Sequence, residues 1–222
     1  MARLKNNNLQ GPFTGKLGNL VGCRWKDGYY IRTRPDKVNH PNTEKQLAQR
    51  MRFVNTQEFL LPLKEFLRLG FGAYTADKSA YNAAMSYNMK SALIGNYPEI
   101  KVNPSSVLVS RGTLPGNVKA AARAASNDTV KFFWNVSEAI PEGREQDKAL
   151  VVVRCIDEKL SDYRLDAARR KDGEAEIKLS KNFRGKEVAC YLVFVKQKAL
   201  LGIVNEEGIS DSIYCGTVLI HG

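Results

Sequence analysis

From Ile100 onward the chain breaks into short apolar runs separated by turn residues, at 107–110, 130–135, 149–156, 175–179, 188–197 and 212–220, with a seventh at 163–169. Runs of that length are too short for ordinary helices, and their β-branched and aromatic content fits strands. Seven such strands across residues 100–222 predict an antiparallel β-sandwich. Gly116, Gly143, Gly185 and Gly208 fall between runs as loops, and Asp172-Gly173 reads as a tight hairpin. Phe132 and Trp134 alternate on one strand, so both point into the core, and Tyr191, Val193 and Val195 do the same on the penultimate strand.

The preceding part has a different character. Residues 1–10, with Asn6-Asn7-Asn8, read as an extended arm. Residues 20–25 and 29–34 are β-branched and aromatic runs around Lys26-Asp27-Gly28, and Asp-Gly signals a two-residue hairpin loop. That loop pairs Lys26 with Tyr29, Trp25 with Tyr30, Arg24 with Ile31 and Cys23 with Arg32. Val21, Cys23, Trp25, Tyr30, Arg32 and Arg34 then share one face, and Gly22, Arg24, Tyr29, Ile31 and Thr33 the other. Gly11, Gly15, Gly18 and Gly22 lack the Gly-Lys-Ser/Thr ending of a phosphate loop and read as close-approach glycines.

Thr43 with Gln46 makes a capping box that opens a first helix, whose buried stripe is expected at Leu47, Met51 and Val54. Pro62 ends or kinks it after Leu61, and Leu63, Phe66, Leu67 and Leu69 form a second apolar stretch. A further helix is expected from Asp77 to Leu93, with Tyr81, Ala84, Met85, Asn88, Met89 and Ala92 on one stripe and Gly95 as its cap. The expected architecture is therefore α+β: an arm over 1–10, a basic domain of β-hairpin and two or three helices over 11–99, and a β-sandwich over 100–222.

Charge points to the first of these domains. Of a net +11, residues 1–52 hold +8, from eleven Lys/Arg against Asp27, Asp36 and Glu44. An excess concentrated in one quarter of the chain fits a polyanionic or acidic partner. The candidate contact residues are Arg24, Trp25, Lys26, Tyr30, Arg32 and Arg34 on the hairpin, with Lys45 and Arg52 on the first helix. Aromatics beside arginines suit base stacking and phosphate contact, and suit an acidic protein surface equally. Trp25 and Tyr30 also fit a cross-strand pair capping a small core, with arginine stems laid over it.

Other classes lack their signals. No apolar run is long enough to span a bilayer, and the polar start MARLKNNNLQG has no signal-peptide core, so a cytoplasmic protein is expected. Cys23, Cys155, Cys190 and Cys215 form no CxxC pair and sit in apolar runs, where reduced, buried thiols are expected. His40 and His221 lie in no metal or nucleophile motif, and neither Ser110 nor Ser105-Ser106 has an elbow context. No enzyme activity, cofactor, metal or small-molecule substrate is expected.

GKLGNLVGCRWKDGYYIRTRPDK, then PNTEKQLAQRMRF, then YPEIKVNPSSVLVSRGTLPG resemble an uncharacterised family found in Bacteroidetes-type genomes and phage-like gene sets. Its pattern of G-x-x-G-x-V-G-x-x-W-K, I/V-R-x-x-P, T-x-x-Q-x-x-x-R and S-x-G-x-L falls at residues 15–26, 31–35, 43–50 and 110–114. The Trp134 strand and the run Tyr191-Leu-Val-Phe-Val resemble a fibronectin type III module, a fold that positions or joins things. The first resemblance implies a structural or adaptor subunit of a phage-type virion or similar assembly. Other protein subunits would be its partners, in a homo- or hetero-oligomer, and it would dock through the basic hairpin. The alternative is a nucleic-acid-binding protein using the same Arg, Lys and aromatic face.

Overall fold

The computed structural model describes residues 3–4, 13–25, 28–36, 42–76, 78–116, 118–136, 144–197 and 205–221. The chain divides into two compact units, Met1–Asn42 and Thr43–Gly222. The first unit is an antiparallel sheet of β1 (Arg3–Leu4), β2 (Phe13–Leu17), β3 (Leu20–Trp25) and β4 (Gly28–Thr33), hydrogen-bonded in that order. The predicted hairpin is thus the β3–β4 half of a larger sheet. Leu4 pairs with Phe13, within the expected arm, and Gly15 with Gly22.

The second unit opens with α1 (Glu44–Leu60), where the Thr43 hydroxyl accepts from the Gln46 N–H at 3.4 Å. The expected stripe differs from the buried one. Val54 is exposed, and burial concentrates at Thr56, Phe59 and Leu60 in the last turns, because only that end of the helix reaches the core. Pro62 sits in a 3-10 turn that redirects the chain into α2 (Lys64–Gly70), which buries Phe66 and Leu67. α3 (Ala80–Ser91) starts later than expected, capped by Ser79, and ends at Ala92; Gly95 lies beyond it, in the turn between the short strands β5 (Leu93–Ile94) and β6 (Lys101–Val102).

Seven strands follow: β7 (Ala120–Ser126), β8 (Thr129–Trp134), β9 (Lys148–Cys155), β10 (Ser161–Arg169), β11 (Glu174–Lys178), β12 (Glu187–Val195) and β13 (Ile213–Leu219). They form two antiparallel sheets, ordered β11-β8-β7 and β10-β9-β12-β13. This is a sandwich of the fibronectin type III kind, and the chain as a whole is α+β. Two local expectations are corrected. Asp172-Gly173 is no hairpin: β10 pairs with β9 while β11 pairs with β8, so this turn carries the chain from one sheet to the other. Residues 107–110 form no strand, because the Asn88 side chain takes both backbone groups of Leu108, at 2.9 Å each, and the Ser212 hydroxyl takes the Val109 N–H. The run is apolar because Val107 and Val109 are buried, not because it pairs.

The central strands β9 and β12 are buried on both faces. Val151, Val153, Leu192 and Phe194 face the sandwich interior with Phe132 and Trp134, whose rings include a T-shaped contact of Trp134 on Phe194 at 5.8 Å. Tyr191, Val193 and Val195 point the other way, contrary to expectation, and pack with Leu150 and Val152 against Leu60 and Leu67 of the helices. A helical layer over the outer side of a sheet removes the need for polar alternation, which is why 188–195 reads as a continuous apolar run. Helices and sandwich form one unit because they share this core.

Candidate docking sheet

In the N-terminal unit, the observed register pairs Val21 with Arg32, Gly22 with Ile31, Cys23 with Tyr30, Arg24 with Tyr29 and Trp25 with Gly28. It is slid by two residues from the expected pairing. A slip of one would have exchanged the faces; a slip of two preserves them. Gly28 is a strand residue rather than a loop residue. Lys26, Asp27 and the Trp25 side chain lie outside the described residues, as does the proposed turn type.

One face carries Lys16, Val21, Cys23, Tyr30 and Arg32; the other carries Phe13, Leu17, Leu20, Arg24, Tyr29 and Ile31. On the first, Tyr30 is raised above the ordinary phenol range, chiefly by its hydrogen bond to the Cys23 thiol, against a lowering pull from Arg32. On the second, the Arg24 guanidinium stands 5.9 Å from the Tyr29 ring centroid. The Phe13 ring crosses Gly22 so closely that an added Cβ there would lie 2.6 Å from it. Gly22 is the one buried position of β2–β4 among the described residues. Leu17, Leu20, Tyr29 and Ile31 are 40–58% exposed.

The described candidate residues of the hairpin therefore do not share one face. Tyr30 and Arg32 share a face and Arg24 lies on the opposite one, as the alternation predicts. Arg34 falls one residue past β4, its backbone N–H donating to Asn19 at 2.7 Å. Lys45 and Arg52 are exposed on α1, in the other unit. The sequence reading missed the apolar face. Its signal was present in the alternation of Phe13, Gly15 and Leu17, but that stretch read only as close-approach glycines ahead of the hairpin.

Several other polar groups of chemical interest are tied into the fold. Ser110 donates to the Ser210 carbonyl at 2.8 Å, and the Ser210 hydroxyl accepts from the Phe194 N–H at 2.9 Å. Gly112 passes so close to Ile209 that a Cβ would lie 2.8 Å from its carbonyl carbon, which explains the glycine within S-x-G-x-L as a packing seam. Burial raises Asp147 above the usual carboxylate range, beside Arg170 at 3.9 Å inside the sandwich. Among the described residues no three His, Cys, Asp or Glu side chains are grouped to hold a metal, and no helix is long and apolar enough to cross a membrane.

A family model described as a family of unknown function, DUF6266, matches residues 12–216. No curated protein matches the chain. Among solved structures, the fn3 domain of the human collagen alpha-1(XX) chain is 18% identical, with 50% of this chain and 85% of that one covered and a TM-score of 0.33. The fn3 domain of human contactin 1 is 8% identical over 51% of this chain and 86% of that one, with a TM-score of 0.33.

Proposed function

We propose a non-catalytic role for this chain, which belongs to DUF6266, a family of unknown function: it is a structural or adaptor subunit of a phage-type virion or similar assembly, docking on a protein neighbour through its N-terminal sheet. The observation that carries this reading is the exposure of Leu17, Leu20, Tyr29 and Ile31 on one face of that sheet. A few short strands need a covered apolar face to be stable in water. Clustered exposed apolar side chains mark interaction surfaces, and an apolar protein patch covers them better than a phosphate backbone does. β4 also ends the sheet, so its outer backbone edge can pair with a partner strand. The phage-type setting rests on the resemblance of the hairpin and helix motifs.

A second reading has its own observation. Tyr30 and Arg32, with Lys16, place an aromatic ring and cations on the opposite face, which suits nucleic acid. The two are separated by sedimentation velocity and co-sedimentation with particles from the source cells, alongside a DNA salt titration. Leu20→Asp with Ile31→Asp is expected to release the protein from its assembly while leaving the circular-dichroism spectrum unchanged. A monomeric wild type that joins no particle would sink the assembly reading. Duplex binding with a log–log salt slope of about −0.9 per phosphate, flattened by Tyr30→Ala with Arg32→Ala, would move the assignment to nucleic acid.

A further inference from the structure

A pocket of about 190 Å³ lies between the helices and the start of the sandwich, within the second unit, and nothing above uses it. Its wall is a single stripe of α3: Ala83, Ser86, Tyr87 and Lys90, at i, i+3, i+4 and i+7. Phe71 and Tyr74 come from the turn after α2, Lys78 from the approach to α3, and Arg111 from the seam beside Gly112. Three cations and two tyrosines thus surround one small space, and no described lining residue is acidic.

Arg111 organises the site. Its guanidinium carbon stands 4.6 Å from the Tyr74 ring centroid and 5.2 Å from that of Tyr87. Both rings hold the cation through their faces, which leaves the in-plane N–H fork for a ligand. Its backbone is fixed by the Arg111 N–H donating to Gly70 at 2.9 Å, between buried Ser110 and the close-packed Gly112. Among the described residues neither this fork nor the ammonium of Lys78 or Lys90 has an ion-pair partner. Two acids outside the lining act on the Tyr74 phenol: burial raises its pKa, Arg111 lowers it, and Glu206 and Asp211 raise it further, while Asp211 also accepts from the Gly112 N–H at 3.0 Å.

We propose that this pocket binds a small phosphate monoester, its head on Arg111, Lys78 and Lys90 and its organic part against the tyrosines. A phosphate monoester carries close to two negative charges and three strong acceptor oxygens at neutral pH, which match one bidentate fork and two point cations. A monocarboxylate would satisfy one of the three cations. The volume is below that of a drug-sized site, so the organic part is short. The lining residues all belong to the second unit, and the fate of this proposal is independent of the docking reading.

Calorimetric titration with phenyl phosphate at low ionic strength, beside inorganic phosphate and benzoate, tests this. Saturable one-to-one binding of phenyl phosphate is expected, with inorganic phosphate weaker and benzoate weaker still. Arg111→Gln should weaken it by roughly 10- to 100-fold, the scale of a hydrogen bond to a charged group. Lys78→Gln with Lys90→Gln, both exposed, should weaken it about tenfold or more, so the test survives if the arginine variant misfolds. Absence of saturable binding, equal binding of benzoate, or affinity unchanged in the double lysine variant overturns the proposal. Binding of a phosphotyrosine peptide without binding of phenyl phosphate also overturns it, because the site would then read a modified protein.

Discussion

Arg154 lies on a central strand and is 3% exposed, yet its guanidinium meets backbone carbonyls rather than an acid. It donates to Phe59 at 2.8 Å, to Glu58 at 3.0 Å, and to Cys155 and Glu158. Glu58 and Phe59 belong to the last turn of α1, whose carbonyls have no partner within the helix. A cation there also opposes the negative end of the helix dipole. Arg154 therefore rivets the helical layer to the sandwich while its plane rests on Phe59 at 5.0 Å. Arg154→Met should cost about 3 kcal/mol or more in urea denaturation, since several buried carbonyls lose a charged donor at once. Arg154→Lys should recover only part, because one ammonium cannot span the same acceptors. A loss under about 1 kcal/mol for Arg154→Met would mean that water replaces the side chain.

At the scale of elements, the cysteines of β12 and β13 are sealed from solvent while that of β3 is not. Cys190 and Cys215 lie on the first two strands and are buried, and burial pushes the Cys215 thiol up to about 12 and that of Cys190 higher still. Cys155 on β9 is also buried; Cys23 on β3 is only half-buried. The thiolate is the reactive form, so access and ionisation act together. A disulfide reagent added to native protein should titrate one thiol quickly, Cys23, and all four cysteines after unfolding. A second prompt thiol would show that the central sheet opens locally far below the cost of global unfolding. The elements also differ in how readable they were. Strands β8, β9, β11, β12 and β13 follow from apolar runs, whereas β7 was missed because AAARAAS carries little β-propensity and gains its place by pairing with β8.

At the scale of the molecule, the decisive feature is that one sheet serves two cores. Its outer side holds Leu150, Val152, Tyr191 and Val193 against the helices, all fully buried. Removing the helices would expose side chains worth about 1.5–3 kcal/mol each, comparable in sum to the about 5–15 kcal/mol stability of a whole domain. A fragment of residues 43–222 is accordingly expected to unfold in one calorimetric transition, and a fragment of 100–222 to aggregate or remain unfolded. Two separate transitions in the longer fragment, or a soluble, folded shorter one, would place an independent boundary near 99/100. The sequence by itself determined what depends on near neighbours: the sandwich class, the Thr43 cap, the turn at Pro62, the faces of the β3–β4 hairpin and the basic bias of the first quarter. Those features follow from periodicity and local backbone chemistry, which neighbouring residues set. Only the tertiary structure decided that Tyr191 faces helices rather than the sandwich interior, that 107–110 is clamped by Asn88 instead of pairing, and that Arg154 is a rivet. Arg154, Arg111 and Arg32 are chemically identical in the sequence, and their roles come from groups brought in by folding, such as the Phe59 carbonyl 95 residues from Arg154.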